Sequence, residues 1–417
     1  MINQERTMTF LSINEALKLL LSKTDILDQS ENIALFHCLG RALSEEIIAK
    51  RALPPFDNSA MDGYAVKIKD AGKVVKVTDT IFAGDAPKSE VKEGEAIKIM
   101  TGAPAPKGAE AVVMIEHITQ TGENLIKLPD QIAPDQHIRL MGEELKVGVK
   151  LLRKGERLNA IKSALLASQG IMSANVYRRL KIAVISSGDE VVEPWQAASR
   201  FQIFNTNATS LILSLEEAGF IAHYEGLSKD DPKGLSQKIE KALTQNDALI
   251  VTGGISAGEA DYTRGAFESL NCEIFFHGLN FKPGKPTMAG KALGKLFFAL
   301  PGNPLSALAN LHMLVLPTLR KMQGDLAIYS DFCIANNKER FEIKGDRDTA
   351  FLGCFRSGEW QIARGGKYGS GMLLPLAESN SFAIFSKNIS EVKEGESIKI
   401  IPLDRFPGSA LEDPINR

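Results

Sequence analysis

The spacing of apolar residues changes character along this chain, and each change predicts a different kind of element. Near the start, Ser12 and Glu15 stand at the S-x-x-E spacing of a capping box. Ala16, Leu17, Leu19, Leu20 and Leu21 follow at helical spacing, which predicts an amphipathic helix. Over residues 51–142 the texture becomes short apolar runs broken by Gly and Pro. Val74-Val75-Lys76-Val77, Ala96-Ile97-Lys98-Ile99 and Ala111-Val112-Val113-Met114 each read as a strand. Helical spacing resumes after Asn159, with Asn159 as N-cap, Ile161, Leu165 and Leu166 as the apolar face and Gly170 as the stop. The β-rich stretch is therefore an insertion between two helical segments.

From Lys181 onward strands and helices alternate. Ile182-Ala183-Val184-Ile185, 248–252, 274–276 and 296–299 are continuous apolar runs. The intervening segments predict a helix at 207–218 capped by Asn207, a helix after Gly258 and a long helix from Leu305 that Pro317 kinks. Strands this apolar, separated by helices, imply an α/β domain with a doubly wound parallel sheet covered on both faces. After about residue 325 the chain becomes β-like again and rich in glycine. Val91 to Ile99 recurs almost unchanged as Val392 to Ile400. Nine residues seen twice do not make a repeat architecture, and the plain reading is one strand–turn–strand device used twice, with Gly94 and Gly395 at the turns.

Composition narrows the class. A chain of 417 residues is too long for one ordinary core and predicts two to four domains. With 44% hydrophobic and 24% charged residues it has the composition of a globular protein. A net charge of -2, from 49 basic and 51 acidic residues, speaks against a nucleic-acid partner gripped through bulk charge but leaves room for a local anion pocket. Cys38, Cys272, Cys333 and Cys354 are scattered without metal-like spacing, which predicts thiols in a reducing compartment. No signal peptide is evident, and no apolar run nears the roughly 20 residues of a membrane span. The expected setting is cytoplasmic, with no membrane partner.

In a doubly wound sheet, ligands bind beyond the carboxyl ends of the strands. Three polar, glycine-containing segments fall there: Ser186-Ser187-Gly188-Asp189-Glu190, the run from Thr252 to Tyr262, and Leu300-Pro301-Gly302-Asn303-Pro304. The loop 253–258, with Gly253, Gly254, Ser256 and Gly258, lacks the bulk to block its backbone, so its N–H groups suit a phosphate. It matches neither GxGxxG nor a P-loop, and a tight turn without ligand is the plain alternative. Lys282-Pro283-Gly284-Lys285-Pro286 presents two ammonium groups from a stiff loop, where most exposed lysines are merely solvated. The acids Asp189, Glu190, Asp230, Asp231, Glu259 and Asp261, set against a phosphate cradle, imply Mg²⁺, with Glu190 and Asp261 the preferred ligands. For Asp230-Asp231-Pro232 a helix cap explains the residues equally well. In the insertion, the run Pro54 to Tyr64 places Asp57 and Asp62 on either side of Ser59, which a structural turn does not explain. Met100-Thr101-Gly102-Ala103-Pro104 is a weaker loop of the same kind.

Together, and in this order, the run Phe56 to Val66, Met100 to Pro104, Gly253 to Tyr262, Lys282 to Pro286 and Leu300 to Pro304 resemble the molybdopterin molybdenumtransferases, a family that includes the E domain of gephyrin. The resemblance spans nearly the whole chain. It implies an elongated homodimer of four domains: a helical linker from 1–50 and 143–177, a β-rich insertion over 51–142, a molybdopterin-binding α/β domain over 178–324 and a C-terminal β-barrel over 325–417. In such enzymes the site lies between the α/β domain of one subunit and the insertion of the other. The implied reaction inserts molybdate into adenylylated molybdopterin, with Mg²⁺ required and AMP released. Implied partners are a molybdopterin adenylyltransferase and apo-molybdoenzymes. By the same resemblance Asp62 and Thr101 come from the insertion, and Glu144 stands at a catalytic aspartate position. Glu190, Asp230, Asp261 and Lys282 come from the α/β domain, and Ser370 from the barrel. Ser187, Gly188, Lys285, Pro301 and Asn303 complete the expected pterin- and phosphate-binding set.

Departures from the family pattern bear on molybdate. An arginine-rich segment is here Arg139-Leu140-Met141-Gly142-Glu143-Glu144, with two positive charges gone. His277 occupies a position where a lysine is usual, and an expected barrel arginine is replaced near Gly353. A molybdate dianion leaving water needs cationic or N–H partners, so Arg139 and a protonated His277 are the remaining oxyanion candidates. His277 reads equally well as a strand-end histidine without a ligand. Two other readings follow: a paralogue with altered metal chemistry, or a dimeric scaffold for pterin, nucleotide or partner peptides.

Overall fold

The protein, seen as a computed structural model, is described over residues 10–229, 231–255 and 262–403. Two compact units form, one from residues up to Ser44, Gly155–Ala160 and Ser173 onward, the other from Glu45–Lys154 with Ile161–Met172.

In the larger unit, the helix Ile13–Ser22 starts at the predicted capping box. Glu15 N donates to Ser12 Oγ at 3.3 Å and Ser12 N donates back to Glu15 Oε2 at 2.8 Å. The α/β core is a six-stranded sheet in the order Ile221–Ser228, Lys181–Ser187, Ala248–Thr252, Lys295–Leu300, Met288–Ala292, Glu273–His277. Alternation along a strand sends side chains to two cores. Ile182 and Val184 join one cluster with Leu211 and Leu215 of the helix Thr206–Glu217. Ala183 and Ile185 join the other with Leu235 and Ile239 of the helix Pro232–Gln245. Strands buried on both faces have no polar side to show, hence their unbroken apolar runs.

Three details differ from the sequence reading. The sheet is mixed: Met288–Ala292 runs antiparallel to both neighbours. It joins Lys295–Leu300 through Leu293 and Gly294, both at positive φ, the backbone of a tight hairpin in which leucine stands where Asn or Asp usually signals the turn. The N-cap of the helix Thr206–Glu217 is Asn205, not Asn207, because Asn205 Oδ1 accepts from Ala208 N at 3.1 Å. Ahead of Pro317 the helix widens into a π segment, Leu311–Val315, and Pro317 then sits in the first turn of Leu316–Met322, where its missing N–H costs least.

The C-terminal strands close into a barrel. Asp348–Arg356, Glu359–Ile362, Cys333–Asn337, Ser397–Pro402 and Ser381–Phe385 pair in a ring, and Phe281–Lys282 adds to the outside of Asp348–Arg356. Trp360 fills the interior, fully buried over Gly353, where any Cβ would lie 2.2 Å from its ring. In the smaller unit a six-stranded sheet runs Ala111–Met114, Gly63–Val66, Glu95–Ile99, Val74–Ile81, Leu125–Lys127, Thr119–Gly122. The two copies of the nine-residue device turn alike, with Gly94 and Gly395 both at φ 75°. All four cysteines are free thiols. Among the described residues no helix is long and apolar enough to cross a membrane.

Phe297 is fully buried and stacks on Phe267 with ring centroids 3.7 Å apart. Phe297→Ala is expected to cost about 3–5 kcal/mol, read as a lowered urea midpoint for the larger unit. A midpoint equal to wild type would show that the sheet does not depend on this stack.

Candidate functional site

At the carboxyl edge of the sheet three strand ends meet at backbone distance. A Cβ on Gly253 (φ +92°) would lie 2.0 Å from the carbonyl oxygen of Ser187, so only glycine permits the approach. Gly302 meets Gly253 in turn, its Cβ position 3.6 Å from the Gly253 Cα. Gly253 N donates to Leu300 O at 3.1 Å, and Thr252 Oγ1 donates to Pro301 O at 3.1 Å. Thr263, from the helix Tyr262–Glu268, closes the glycine turn through its Oγ1 to Gly253 O at 3.0 Å. Asn207 ties two of these loops together, its Nδ2 donating to Thr252 Oγ1 and to Gly302 O, both at 2.8 Å. Its Oδ1 is buried and accepts nothing, leaving an acceptor for a donor from ligand or water. Ser187 is buried, Gly188 holds φ +149°, and Glu190 beside it is exposed.

The lysine loop lies on the same edge. His277 pairs with Met288 and Met288 with Ala299, so the chain between them emerges beside the Leu300 end. Lys282 and Lys285 are both exposed. Lys285 Nζ sits 4.6 Å above the Phe10 ring centroid, a cation–π contact. Lys282 extends a short strand onto Asp348–Thr349 of the barrel. Gly284 rests on Asn310: a Cβ there would be 2.0 Å from Asn310 Nδ2, so the loop leans on the helix that follows Pro304. Ser370 reaches the same edge from the barrel side, accepting from Asn303 Nδ2 at 2.9 Å through its Oγ and from Leu305 N at 3.1 Å through its carbonyl. The structure thus gathers Ser187, Gly188, Glu190, Gly253, Gly254, Lys282, Lys285, Pro301, Asn303, Ser370 and His277 along one sheet edge. Asp231 is a helix cap, accepting from Lys233 N and Gly234 N. Asp230, Ser256, Gly258, Glu259 and Asp261 lie outside the described residues.

In the smaller unit the loops around Asp57, Thr101 and Arg139 are stitched into one surface. Asn58 pairs with Arg139, Gly102 N donates to Ser59 O at 2.8 Å, and Met141 N donates to Asp57 Oδ1 at 2.7 Å. Asp62 Oδ1 accepts from Thr101 N at 2.7 Å and from Thr101 Oγ1 at 2.8 Å. The Thr101 backbone N–H first, and its hydroxyl second, hold the exposed Asp62 carboxyl below its ordinary value. Arg139 is already engaged: its Nε donates to Glu143 Oε1 at 2.7 Å, and its Nη2 lies 3.8 Å from Glu144. One guanidinium therefore faces two carboxylates.

Sequence reasoning missed Asn207 as a bridge, taking it for a cap. The signal was an Asn205-x-Asn207 pair in which the first residue caps and the second turns inward.

Gly253→Ala is expected to destabilise the larger unit by about 1–3 kcal/mol through overpacking, whereas Gly302→Ala, with ordinary contact distance, stays near wild type. Equal urea midpoints for the pair would refute the rigid approach. For Asp62, Thr101→Val keeps the dominant N–H donor and removes the hydroxyl. Its carboxyl pKa, followed by NMR, should rise part of the way toward the ordinary value; no rise would remove the hydroxyl's role.

The comparisons with known proteins cover almost all of this chain. Residues 11–170 match the model for the MoeA N-terminal region (domain I and II), 183–321 a probable molybdopterin binding domain, and 336–403 the MoeA C-terminal region (domain IV). A molybdopterin molybdenumtransferase of Haemophilus influenzae is 33% identical over 95% of this chain and 100% of its own. One from Nostoc sp. is 30% identical over 92% and 91%. The crystal structure of a molybdopterin biosynthesis moeA protein from Pyrococcus horikoshii OT3 superposes with a TM-score of 0.83 at 28% identity, covering 94% of this chain and 100% of that one. The chain belongs to the molybdopterin molybdenumtransferase family, the MoeA family of molybdenum cofactor biosynthesis.

Proposed function

We propose that this protein is a molybdenum insertase that takes adenylylated molybdopterin and molybdate and releases molybdenum cofactor and AMP. The observation that carries the reading is the sheet edge itself, where a cradle of close-packed glycine backbone and two exposed lysines stand side by side. The Gly254 backbone N–H suits a phosphate oxygen, and Lys282 and Lys285 supply charge for an oxyanion. Lys282 is assigned to stabilise negative charge that develops during transfer. Pro301, Asn303 and Ser370 shape the neighbouring wall, and Ser187 and Gly188 the opposite one. Asp62, kept ionised by Thr101, is assigned to orient molybdate or a water. The remaining assignments are Glu144 and Asp230 as acids, with Ser256 and Gly258 completing the cradle.

Glu190 is an exposed oxygen donor beside Gly188, which fits Mg²⁺ in its usual mode of one or two carboxylates shared with substrate phosphates. With Asp261 as second ligand, Mg²⁺ would offset phosphate charge. A homodimer in the cytoplasm, served by a molybdopterin adenylyltransferase and delivering to apo-molybdoenzymes, belongs to the same reading.

A second reading has one observation behind it. Glu143 and Glu144 offset Arg139, so this guanidinium is not free for a dianion. That favours a pterin-binding paralogue without insertion. AMP release from adenylylated molybdopterin, measured with Mg²⁺ and molybdate alongside reactivation of a molybdenum-free apoenzyme, separates the two. The insertase reading expects molybdate-dependent release with reactivation, and a Lys282→Ala loss on the order of 10²-fold in kcat. Binding with neither product would establish the paralogue instead.

A further inference from the structure

A second recess lies on the other face of the same strand. Along Lys181–Ser187 successive side chains alternate, so Ser187 belongs to the cradle while Ser186 faces the helix Thr206–Glu217. Ser186 Oγ donates to Asn205 Oδ1 at 3.1 Å, Asn205 Nδ2 donates to Tyr224 Oη at 2.8 Å, and Tyr224 Oη donates to Glu193 Oε1 at 2.5 Å. The chain of donors ends on a carboxylate whose residue is only 7% exposed. Glu193 Oε2 receives just a 3.5 Å approach from Asn205 Nδ2, so it retains acceptor capacity.

Glu193, Asn205 and Tyr224 form the polar floor of a cavity of about 280 Å³ walled by Ile212, Leu213 and Trp195. That volume is just under the range of small-molecule pockets, which runs from about 300 Å³ upward, and suits a single ring system. Trp195 is 75% exposed and Leu213 58%, an indole and an alkyl chain held at the mouth with no core to fill. Apolar walls with one acceptor-rich corner select a flat ring that carries an N–H or amino donor. Burial first, and its bond to Glu193 second, push the Tyr224 phenol well above its ordinary range, so it stays a donor to that carboxylate.

We propose that this cavity is a ring-binding subsite, taking an amino-substituted nitrogen heterocycle through Glu193 and stacking it against Trp195. The cradle begins one residue along the strand, at Ser187, and two along the helix start, at Asn207. The natural ligand follows from the reaction proposed above, whose substrate carries two such rings, a purine and a pterin; the recess itself does not depend on that reaction.

The test is calorimetric titration of the full chain with AMP, with 6-hydroxymethylpterin and with ringless ribose 5-phosphate. Leu213→Arg fills the mouth from an exposed position and should melt like wild type. Glu193→Gln removes the carboxylate and is expected to weaken ring binding about tenfold or more. If the purine occupies the recess, both variants weaken AMP but leave ribose 5-phosphate unchanged. If the pterin occupies it, they weaken 6-hydroxymethylpterin instead. In either case ring binding also quenches the emission that Trp195→Phe removes, since the second tryptophan, Trp360, is fully buried. Ring ligands that fail to bind, or bind both variants as they bind wild type, overturn the subsite. Ring binding at the recess without AMP release in the insertion assay would keep the subsite and discard the reaction.

Discussion

The contact between the Gly253 backbone and the Ser187 carbonyl is the constraint on which the larger unit's site depends. Two parallel strands end so close that no side chain fits between them, and the third strand end, at Gly302, follows at ordinary contact distance. Several side chains around this meeting hold it. Thr252 and Asn207 bridge the loops, Thr263 fastens the glycine turn to the next helix, and Asn303 draws in Ser370 from the barrel side. The turn backbone and the two lysines are then presented on a support that has little freedom to relax, which is what preorganised anion binding requires.

The same strand separates two kinds of chemistry by simple alternation. Its Ser187 side serves a backbone-rich cradle suited to phosphate, and its Ser186 side leads through Asn205 and Tyr224 to the Glu193 carboxylate. A nucleotide-like ligand has the same division, an anionic end and a flat aromatic end. One strand terminus accounts for both halves of the proposed recognition.

In the smaller unit the balance of charge is different. Asp62 is held ionised by two donors from Thr101, yet the neighbouring cation, Arg139, is shared between Glu143 and Glu144. Leu140 and Met141, which follow Arg139, are exposed apolar side chains that add no charge there.

How much was legible in the sequence can be argued from particular residues. The capping box at Ser12 and Glu15, the apolar strands at 182–185 and 248–252, and the turns at Gly94 and Gly395 are local: each depends on residues within a few positions, so spacing alone determined them. The family, and with it the expected reaction, was legible in five ordered motifs. Tertiary structure decided that Asn205 rather than Asn207 caps its helix, because both fit the local pattern and Asn207 is drawn inward to Thr252 and Gly302 while Asn205 accepts from Ala208 N. It decided the direction of Met288–Ala292, whose hairpin carries leucine where the usual turn signal is absent. It also assembled the Glu193, Asn205 and Tyr224 floor, whose members are uninformative singly. Local order is encoded by neighbours in the chain; a site is encoded by neighbours in space, and those exist only once the sheet has set its register.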